Sequence, residues 1–335
     1  TATLGCVVKL RLTRTLGTAL GLYSPLDFFH GLYATTDIEK EPMSAGRQMG
    51  GHFVTQSVDE FGQWKNLMNQ PNSSSDISPT AAQMPRLLGL AQASKVYRSL
   101  GLKGVDKFTD SGNEIAWGTI GNASTSEGLF FETINAAGVL QVPMVISVWD
   151  DEYGISVHAK HHTTKSSISA VLEGFRKTET QAGFEIFQVK GWDYPALIHA
   201  YENAAEWARE HHTPVLIHVI ELTQPLGHST SGSHERYKST ERLDWEKQYD
   251  CNRMFRQWML DTAIATEEEL QEIEQSVQKE VKEAKKAAWS DFVATHKAHQ
   301  KSLIDVLQPL TKVSPNHVFN QGVISELGEI REPIK

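Results

Sequence analysis

The sequence EIAWGTIGNASTSEGLFFETINAAGVLQVPMVISVWDDEYGIS, residues 114–156, contains the pattern that decides the fold. Its apolar spacing predicts a strand over 114–120, a helix over 126–140 and a second strand over 144–149. The alternation continues with a helix over 168–182, a strand over 184–189, a helix over 195–211 and a strand over 215–222. Strands separated by helices of this length need crossover connections. We therefore expect an α/β fold with a mainly parallel sheet and helices on both faces.

Further helices are predicted on either side of this alternation. Ser24 and Pro25 have the spacing of an N-cap and a first helical residue, and a helix is predicted over 81–100. Thr266 and Glu269 form a capping-box pattern at the start of a charged helix. An apolar stripe on that helix favours a scaffold or interface role. Its residues are Leu270, Ile273, Val277, Val281, Ala284 and Ala288.

We expect the chain to form one compact domain with three segments. They are an N-terminal helix with long functional loops over 1–80, an α/β core over 81–240 and a helical C-terminal segment over 241–335.

The composition argues against several classes of protein. Lys and Arg number 32 against 41 Asp and Glu, for a net charge of −9, whereas a nucleic-acid-binding protein needs a basic face. No apolar run approaches the roughly 18 residues that a membrane-spanning helix requires. The cysteines, Cys6 and Cys251, are too few for a disulfide framework or a zinc cluster, so we expect a reducing compartment.

The segment from Gly121 to Gly128 lies between a predicted strand and a predicted helix. Its small residues permit a tight turn, and the start of the helix offers free backbone N–H groups, so the turn suits a phosphate group. An ordinary strand-to-helix turn explains the same segment when it is taken alone.

Acidic side chains, Asp150, Asp151 and Glu152, follow the next predicted strand. Ligands of parallel sheets bind at the carboxyl ends of the strands, where these residues are expected. A phosphate-binding turn beside carboxylates would form a site for Mg²⁺ that bridges a diphosphate. A solvated acidic turn is the alternative, but it does not explain the match with the neighbouring turn.

Histidines supply the remaining candidates. The segment Gly227 to Ser231 is similar to the serine-hydrolase elbow G-x-S-x-G around Ser229, but its last position is not the required Gly. We interpret it as a mobile loop with one functional histidine, His228, and His52 lies in another Gly-rich loop. Without the Glu or Cys of a metal motif, we interpret the other clusters as surface histidines, namely His158, His161, His162, His211 and His212.

Together, five motifs resemble those of the α subunit, or α half, of the thiamine diphosphate-dependent E1 component of 2-oxo acid dehydrogenases, particularly the branched-chain type. They are Ser44 to His52 (S-x-G-R-Q-M-x-x-H), Ser78 to Pro85 (S-P-x-A-x-Q-x-P), Gly121 to Gly128 (G-D/E-G-x-x-S-E-G), Asp150 to Ser156 (N-N-x-Y-x-I-S) and Gly227 to Ser231 (the active-site loop).

The resemblance implies a thiamine diphosphate-binding fold, with thiamine diphosphate and Mg²⁺ as cofactors. Mg²⁺ would be held by the side chains of Asn122 and Asp151 and by the carbonyl of Tyr153. The implied catalytic residues are His52 and His228, which would position the lipoyl group and the substrate and handle protons. The implied cofactor-binding residues are Ser78, Thr80, Gln83, Gly121, Asn122, Ala123, Ser124, Asp151, Tyr153, Ile155 and His228.

Four positions depart from the family pattern. Asn122 stands where the family has a carboxylate and Asp151 where it has Asn, so the two side chains are exchanged and one carboxylate is kept. We expect the exchange to preserve the metal site, because Mg²⁺ responds to ligand number and local charge. Ala123 replaces a Gly, which we expect to tighten the space near the diphosphate. Glu152 adds an anion where relatives carry Gly or Arg, and we expect weaker cofactor binding unless it points outward.

The implied activity is oxidative decarboxylation of a branched-chain 2-oxo acid, with transfer of the acyl group to a lipoyl arm on the E2 component. The pyrimidine half of the cofactor requires a β subunit or β half, so we expect an α2β2 assembly or a fused dimer. The abrupt start and end of the chain favour a fragment, located in a bacterial cytoplasm or in the mitochondrial matrix. The alternatives are a non-catalytic subunit with a degenerate metal site, and an E1 for pyruvate or acetoin.

Overall fold

The computed structural model describes residues 7–8, 24–41, 44–47, 55–70, 72–74, 80–225, 227 and 233–333. Three predicted site residues, His52, Ser78 and His228, lie outside these ranges, as does Ser229 of the hydrolase alternative. The remaining predicted site residues all lie within them.

The described strands form a parallel sheet and a short hairpin. They are β1 (Val7–Val8), β2 (Ser73–Ser74), β3 (Ala116–Gly121), β4 (Met144–Trp149), β5 (Tyr153–Gly154), β6 (Val157–His158), β7 (Glu185–Lys190) and β8 (Val215–Ile220). The sheet has the order β2-β1-β3-β4-β8-β7, and every pairing in it is parallel. β5 and β6 pair antiparallel. The predicted parallel sheet is confirmed.

The described α-helices are α1 (Pro25–Leu32), α2 (Met84–Leu100), α3 (Gly128–Leu140), α4 (Ile168–Val171), α5 (Tyr194–His211), α6 (Thr240–Gln248), α7 (Cys251–Asp261), α8 (Glu267–Leu307), α9 (Leu310–Val313) and α10 (His317–Glu329). Ser24 caps α1, and the capping box of Thr266 and Glu269 precedes α8, both as predicted. The helical C-terminal segment is also confirmed. Within the described ranges, none of the helices combines the length and the apolar character needed to cross a membrane.

Helices cover both faces of the sheet, and alternate residues of β4 accordingly belong to two separate cores. Ile146 of β4 is buried in the same core as Leu87 of α2 and Phe130 of α3. Its neighbour Val145 belongs to the second core, which contains Ala204 of α5. Since β4 is buried on both faces, its sequence is almost continuously apolar.

The predicted helix over 168–182 is wrong beyond its first turns. α4 ends at Val171, and a 3-10 helix follows over Leu172–Phe175. The chain then folds back, and the N–H of Phe184 donates to the carbonyl of Phe175 at 2.8 Å. A Cβ at Gly183 would lie 2.4 Å from the same oxygen, so this return path needs a glycine.

The other predicted boundaries in the α/β region agree with the structure within two residues, except at the start of α2. That helix begins at Met84, because Ala81 has a left-handed φ of +59° and Pro85 occupies the first turn.

The chain divides into two compact units, one of residues 1–13 and 52–271 and the other of residues 14–51 and 272–335. The first contains the described sheet. In the second, the ring centres of Tyr33 and Trp289 lie 5.2 Å apart, and Lys40 pairs with Asp291 at 2.9 Å. The segment boundaries at 80 and 240, and the single compact domain, stay predictions.

The apolar stripe of α8 is largely exposed. Leu270 and Ala288 are buried, whereas Ile273, Val277 and Val281 are exposed. Its role as a scaffold or interface stays a prediction.

Candidate functional site

The two loops that the sequence singles out meet at the carboxyl edge of the sheet. β3 and β4 are neighbours, and Gly121 is in register with Trp149 at their ends. The N–H of Asn122 donates to the carbonyl of Trp149 at 3.0 Å, which joins the phosphate-type turn to the start of the acidic loop. Their meeting follows from the parallel pairing of the two strands.

A cavity of about 780 Å³ lies at this edge. Its volume falls in the range of about 300–1,000 Å³ that is typical of small-molecule sites. The predicted site residues that line it are Thr80, Gly121, Asn122, Ala123, Ser124, Asp151, Tyr153 and Ile155. The lining residues that were not among the predicted site residues are Glu127, Trp149, Gly154, Leu222, Thr223 and Gln224.

Part of the missed lining comes from the chain just after β8. β8 pairs with β4, with Val219 in register with Trp149. The N–H of Leu222 donates to the carbonyl of Asp150 at 3.0 Å, which fixes the exit of β8 against the acidic loop. The order of strands decides this neighbourhood, and local sequence patterns carry no signal for it beyond the end of an apolar strand.

The turn after β3 leads into α3 at the cavity. Asn122 is only 5% exposed, and a 3-10 helix follows it over Ala123–Ser126. Glu127 is the N-cap of α3, but its side chain caps none of the helix N–H groups. Instead it accepts a hydrogen bond from the hydroxyl of Thr80 at 3.1 Å. Because Glu127 lines the cavity, the positive end of the α3 dipole lies at the cavity as well.

The acidic loop is anchored by Asp150. Its Oδ1 accepts the N–H of Glu152 at 2.7 Å, and its Oδ2 lies 2.8 Å from Nε2 of the buried His218. Nδ1 of His218 lies 2.8 Å from the hydroxyl oxygen of Ser169. Asp150 therefore holds the loop in place through a buried polar chain whose members lie far apart in the sequence.

Asp151 and Tyr153 both line the cavity because the loop turns sharply between them. Asp151 is 5% exposed, and its Oδ1 accepts the N–H of Tyr153 at 3.1 Å. Glu152 has a left-handed φ of +67°, a strained conformation that is concentrated at functional sites. Burial raises the pKa of the Tyr153 phenol.

The donor set fits Mg²⁺ that bridges a diphosphate. A side-chain amide, a carboxylate and a backbone carbonyl are hard oxygen donors of the kind that Mg²⁺ takes. Nδ2 of Asn122 is buried without a hydrogen-bond partner among the described residues. An amide N–H group donates hydrogen bonds and does not bind a metal, so this atom suits a phosphate oxygen as its acceptor. Across the described part of the chain, no three His, Cys, Asp or Glu side chains cluster to hold a metal, so a cation here would rely on phosphate oxygens for further ligands.

Comparison with known proteins decides the family. The sequence profile described as "Dehydrogenase E1 component" matches residues 51–297. The chain belongs to this family. Dehydrogenase E1 components depend on thiamine diphosphate.

Three curated relatives of this E1 chain are named as alpha subunits. It is 30% identical over 186 residues to the pyruvate dehydrogenase E1 component subunit alpha of Rickettsia felis, covering 56% of this chain and 54% of the relative. It is 25% identical over 298 residues to the mitochondrial 2-oxoisovalerate dehydrogenase subunit alpha 1 of Arabidopsis thaliana, covering 88% and 53%. The corresponding Bacillus subtilis subunit is 28% identical over 241 residues, covering 72% and 62%.

The chain thus spans about half the length of the curated relatives that it matches. The resemblance to an E1 α subunit is confirmed.

One departure of this E1 chain from the family pattern is matched by a second position. A Cβ on Gly154 would lie 2.6 Å from the Cβ of Ala123. The methyl group of Ala123 therefore occupies space that Gly154 leaves open, although Ala123 also lines the cavity.

The added anion, Glu152, is not among the residues that line the cavity. Its side chain is 46% exposed and pairs with the guanidinium of Arg242 on α6. The positive charge of Arg242 offsets the extra negative charge beside Asp151.

The predicted site residue Gln83 and the predicted surface histidines differ in their exposure. Gln83 is buried at 2% exposure next to the start of α2 and does not line the cavity. The surface interpretation holds for His161 and His211, whereas His158, His162 and His212 are half-buried. The ring of His158 lies 5.1 Å from that of Tyr153, and burial lowers the pKa of His162.

Proposed function

We propose that the cavity binds the diphosphate end of thiamine diphosphate together with Mg²⁺, and that the chain serves as the α component of an active 2-oxo acid dehydrogenase E1. The observation that carries the proposal is the meeting of the turn after β3 with the Asp150–Ile155 loop, joined by the hydrogen bond from Asn122 to Trp149. A phosphate-binding turn and a carboxylate loop at one sheet edge are the two parts that a metal–diphosphate site needs.

We assign the metal to the side chains of Asn122 and Asp151 and to the carbonyl of Tyr153. Ser124 and the first-turn N–H groups of α3 are assigned to the diphosphate oxygens. The described cavity lining includes the carboxylates of Glu127 and Asp151 and neither Lys nor Arg, so a metal cation is needed to offset the charge of the diphosphate. When bound, thiamine diphosphate supplies the nucleophilic carbon for decarboxylation of a 2-oxo acid.

The resemblance assigns the remaining roles to His52 and His228. We propose that these side chains position the substrate and the lipoyl group and transfer protons, as a histidine can near neutral pH. Ser78 and Gln83 are assigned to the vicinity of the cofactor through the S-P-x-A-x-Q-x-P motif.

Among 2-oxo acids we favour branched-chain substrates. Arg47-Gln48-Met49 and the loop of His228 to Ser231 are similar to the branched-chain type. The relatives are named for both pyruvate and 2-oxoisovalerate, so pyruvate is the alternative substrate. A pocket distinguishes substrates by about 1–3 kcal/mol per methylene group, so a comparison of kcat/KM values is the suitable test.

We further propose that a β subunit or β half completes the site and that the lipoyl domain of an E2 component accepts the acyl group. An α2β2 assembly or a fused dimer would bring the halves together, in a bacterial cytoplasm or in the mitochondrial matrix. A non-catalytic subunit is the second candidate, favoured by Asn122, Ala123 and Glu152. The packing of Ala123 against Gly154 and the pairing of Glu152 with Arg242 weigh against it.

The test is an assay of CO2 release from a panel of 2-oxo acids by the chain together with its β half, with an artificial electron acceptor. We expect activity that requires thiamine diphosphate and Mg²⁺, highest with branched-chain acids. Asp151→Asn should lower kcat/KM at limiting Mg²⁺, whereas Asp106→Asn, a matched change at an exposed position, should not. Activity with none of the acids would favour the non-catalytic subunit.

A further inference from the structure

Arg242 contacts the acidic loop at two consecutive residues. Its Nη2 donates to the backbone carbonyl of Asp151 at 3.0 Å, and its Nη1 pairs with the carboxylate of Glu152. The Arg242 side chain is 17% exposed, and hydrogen bonds from a charged donor are stronger than neutral ones. The guanidinium therefore binds the loop at the Asp151 carbonyl and at the side chain of Glu152, which lies between two of the proposed metal ligands, Asp151 and Tyr153.

The guanidinium is itself fixed by Glu246, one turn further along α6. Nε of Arg242 donates to Oε1 of Glu246 at 2.9 Å, and Nζ of Lys238 donates to the same oxygen at 2.7 Å. The side chains of Lys238 and Glu246 are 2% and 1% exposed, so water does not compete for this pair. Two cations and two anions, counting Glu152, balance in this cluster.

Aromatic rings complete the contact with the loop. The centre of the Arg242 guanidinium lies 4.7 Å from the ring centre of Trp245 and 5.6 Å from that of Tyr153. Nζ of Lys238 lies 5.0 Å from the centre of the same Tyr153 ring. Cations at these distances are attracted to the ring faces, so the cluster also holds the Tyr153 side chain.

The Asp151–Tyr153 segment needs these stabilising contacts because the backbone of Glu152 is strained. Glu152 has a φ of +67°, and a conformation of this kind persists only where the surroundings impose it. An ion pair with a half-exposed carboxylate is weak when it acts alone. Here the bond to the Asp151 carbonyl and the buried Glu246 add to it.

We propose that Arg242 is a positioning residue for the metal–diphosphate site, which sets the direction of the Asp151 carboxylate and the Tyr153 carbonyl through its contacts with the loop between them. The inference rests on the function proposed above. Residues that orient metal ligands typically contribute about 10- to 100-fold to metal affinity.

The test is a calorimetric titration of Mg²⁺ into the chain and its β half with a fixed excess of thiamine diphosphate present throughout. Arg242→Gln should weaken Mg²⁺ binding by about 10- to 100-fold, and Glu152→Gln, which leaves the bond to Asp151 intact, by a smaller factor. Arg242→Lys keeps the charge but loses the forked contact, so it should fall between the wild type and Arg242→Gln. Arg253→Gln, at an exposed position on α7, should leave the affinity unchanged.

Thermal melting without cofactor separates positioning from a general loss of fold. We expect Glu152→Gln and Arg242→Lys to melt close to the wild type while their Mg²⁺ affinity falls, and these two variants decide the question if Arg242→Gln does not fold. Mg²⁺ affinities within about twofold of the wild type would overturn the role of Arg242 and leave the proposed function standing. A wild-type protein that binds no thiamine diphosphate with Mg²⁺ would overturn both.

Discussion

Ala123 and Gly154 lie so close together that only one of them can carry a Cβ without a clash: a Cβ added to Gly154 would lie 2.6 Å from the Cβ of Ala123. One residue follows β3 and the other forms part of the loop after β4, so this contact sets how closely the two halves of the proposed diphosphate site approach. One of the two positions therefore needs a glycine, and in this chain that glycine is Gly154.

Gly154→Ala should therefore destabilise the protein by about 1–3 kcal/mol, the usual cost of overpacking a close contact. The double variant Ala123→Gly with Gly154→Ala should recover most of the loss, because the pair again carries one methyl group. Denaturant unfolding of the four proteins in this cycle measures the coupling. Gly138→Ala, within α3, is the control, since its new Cβ would contact only Phe184 at an ordinary 3.6 Å. Additive effects of Ala123→Gly and Gly154→Ala on stability would contradict the close contact between these two positions.

The cluster of Lys238, Arg242 and Glu246 predicts that its members contribute unequally to stability. Glu246→Gln leaves Lys238 and Arg242 without their shared buried anion and should cost about 3–5 kcal/mol. Lys238→Met should cost less, because Arg242 still pairs with Glu246 at 2.9 Å. Melting temperatures of the cofactor-free protein test this order. The control is Lys247→Met, which removes an exposed ion pair and should change little. A Glu246→Gln variant as stable as that control would refute the anchoring role of Glu246.

Because the side chain of His162 is partly buried, we expect the free energy of unfolding to fall in mildly acidic solution. Burial is the main cause that lowers its pKa below the usual 6.5, so near that pH the unfolded chain binds a proton that the folded chain does not. The contribution of His162 is present above pH 6.5 and is lost as the pH falls below it. His162→Gln should therefore reduce the drop in melting temperature between about pH 7.5 and pH 5.5.

The exposed His199 on α5 supplies the matched control for this pH dependence. His199 is not among the groups that shift the pKa of His162, so His199→Gln should leave the drop in melting temperature as it is in the wild type. An equal pH response of the wild type and His162→Gln would argue against burial as the cause.

The sequence was sufficient where chemistry is local. The turn at Asn122 and the loop at Asp151 each carry their own motif, and the parallel strand pattern alone predicts that both end at one sheet edge. Through the resemblance of these two motifs to the E1 family, residues that line the cavity could be named before their geometry was known, namely Gly121 to Ser124, Asp151, Tyr153 and Ile155.

The sequence was insufficient where contacts depend on distant parts of the chain. Arg242 lies on a helix far beyond Glu152, and no local period indicates that they pair. The same holds for His218 and Leu222, whose roles depend on β8 lying beside β4. The helix predicted over 168–182 was wrong because the return of the chain to Phe184 is a tertiary contact that competes with helical propensity.

The most direct test of the central claim is a calorimetric titration of thiamine diphosphate into the chain together with its β half, with and without Mg²⁺. The account predicts saturable binding that requires Mg²⁺ and that Asp151→Asn weakens, with Asp106→Asn unchanged from the wild type. Binding that is indifferent to Mg²⁺ and to residue 151, or no binding at all, would contradict a metal–diphosphate site at Asn122, Asp151 and Tyr153.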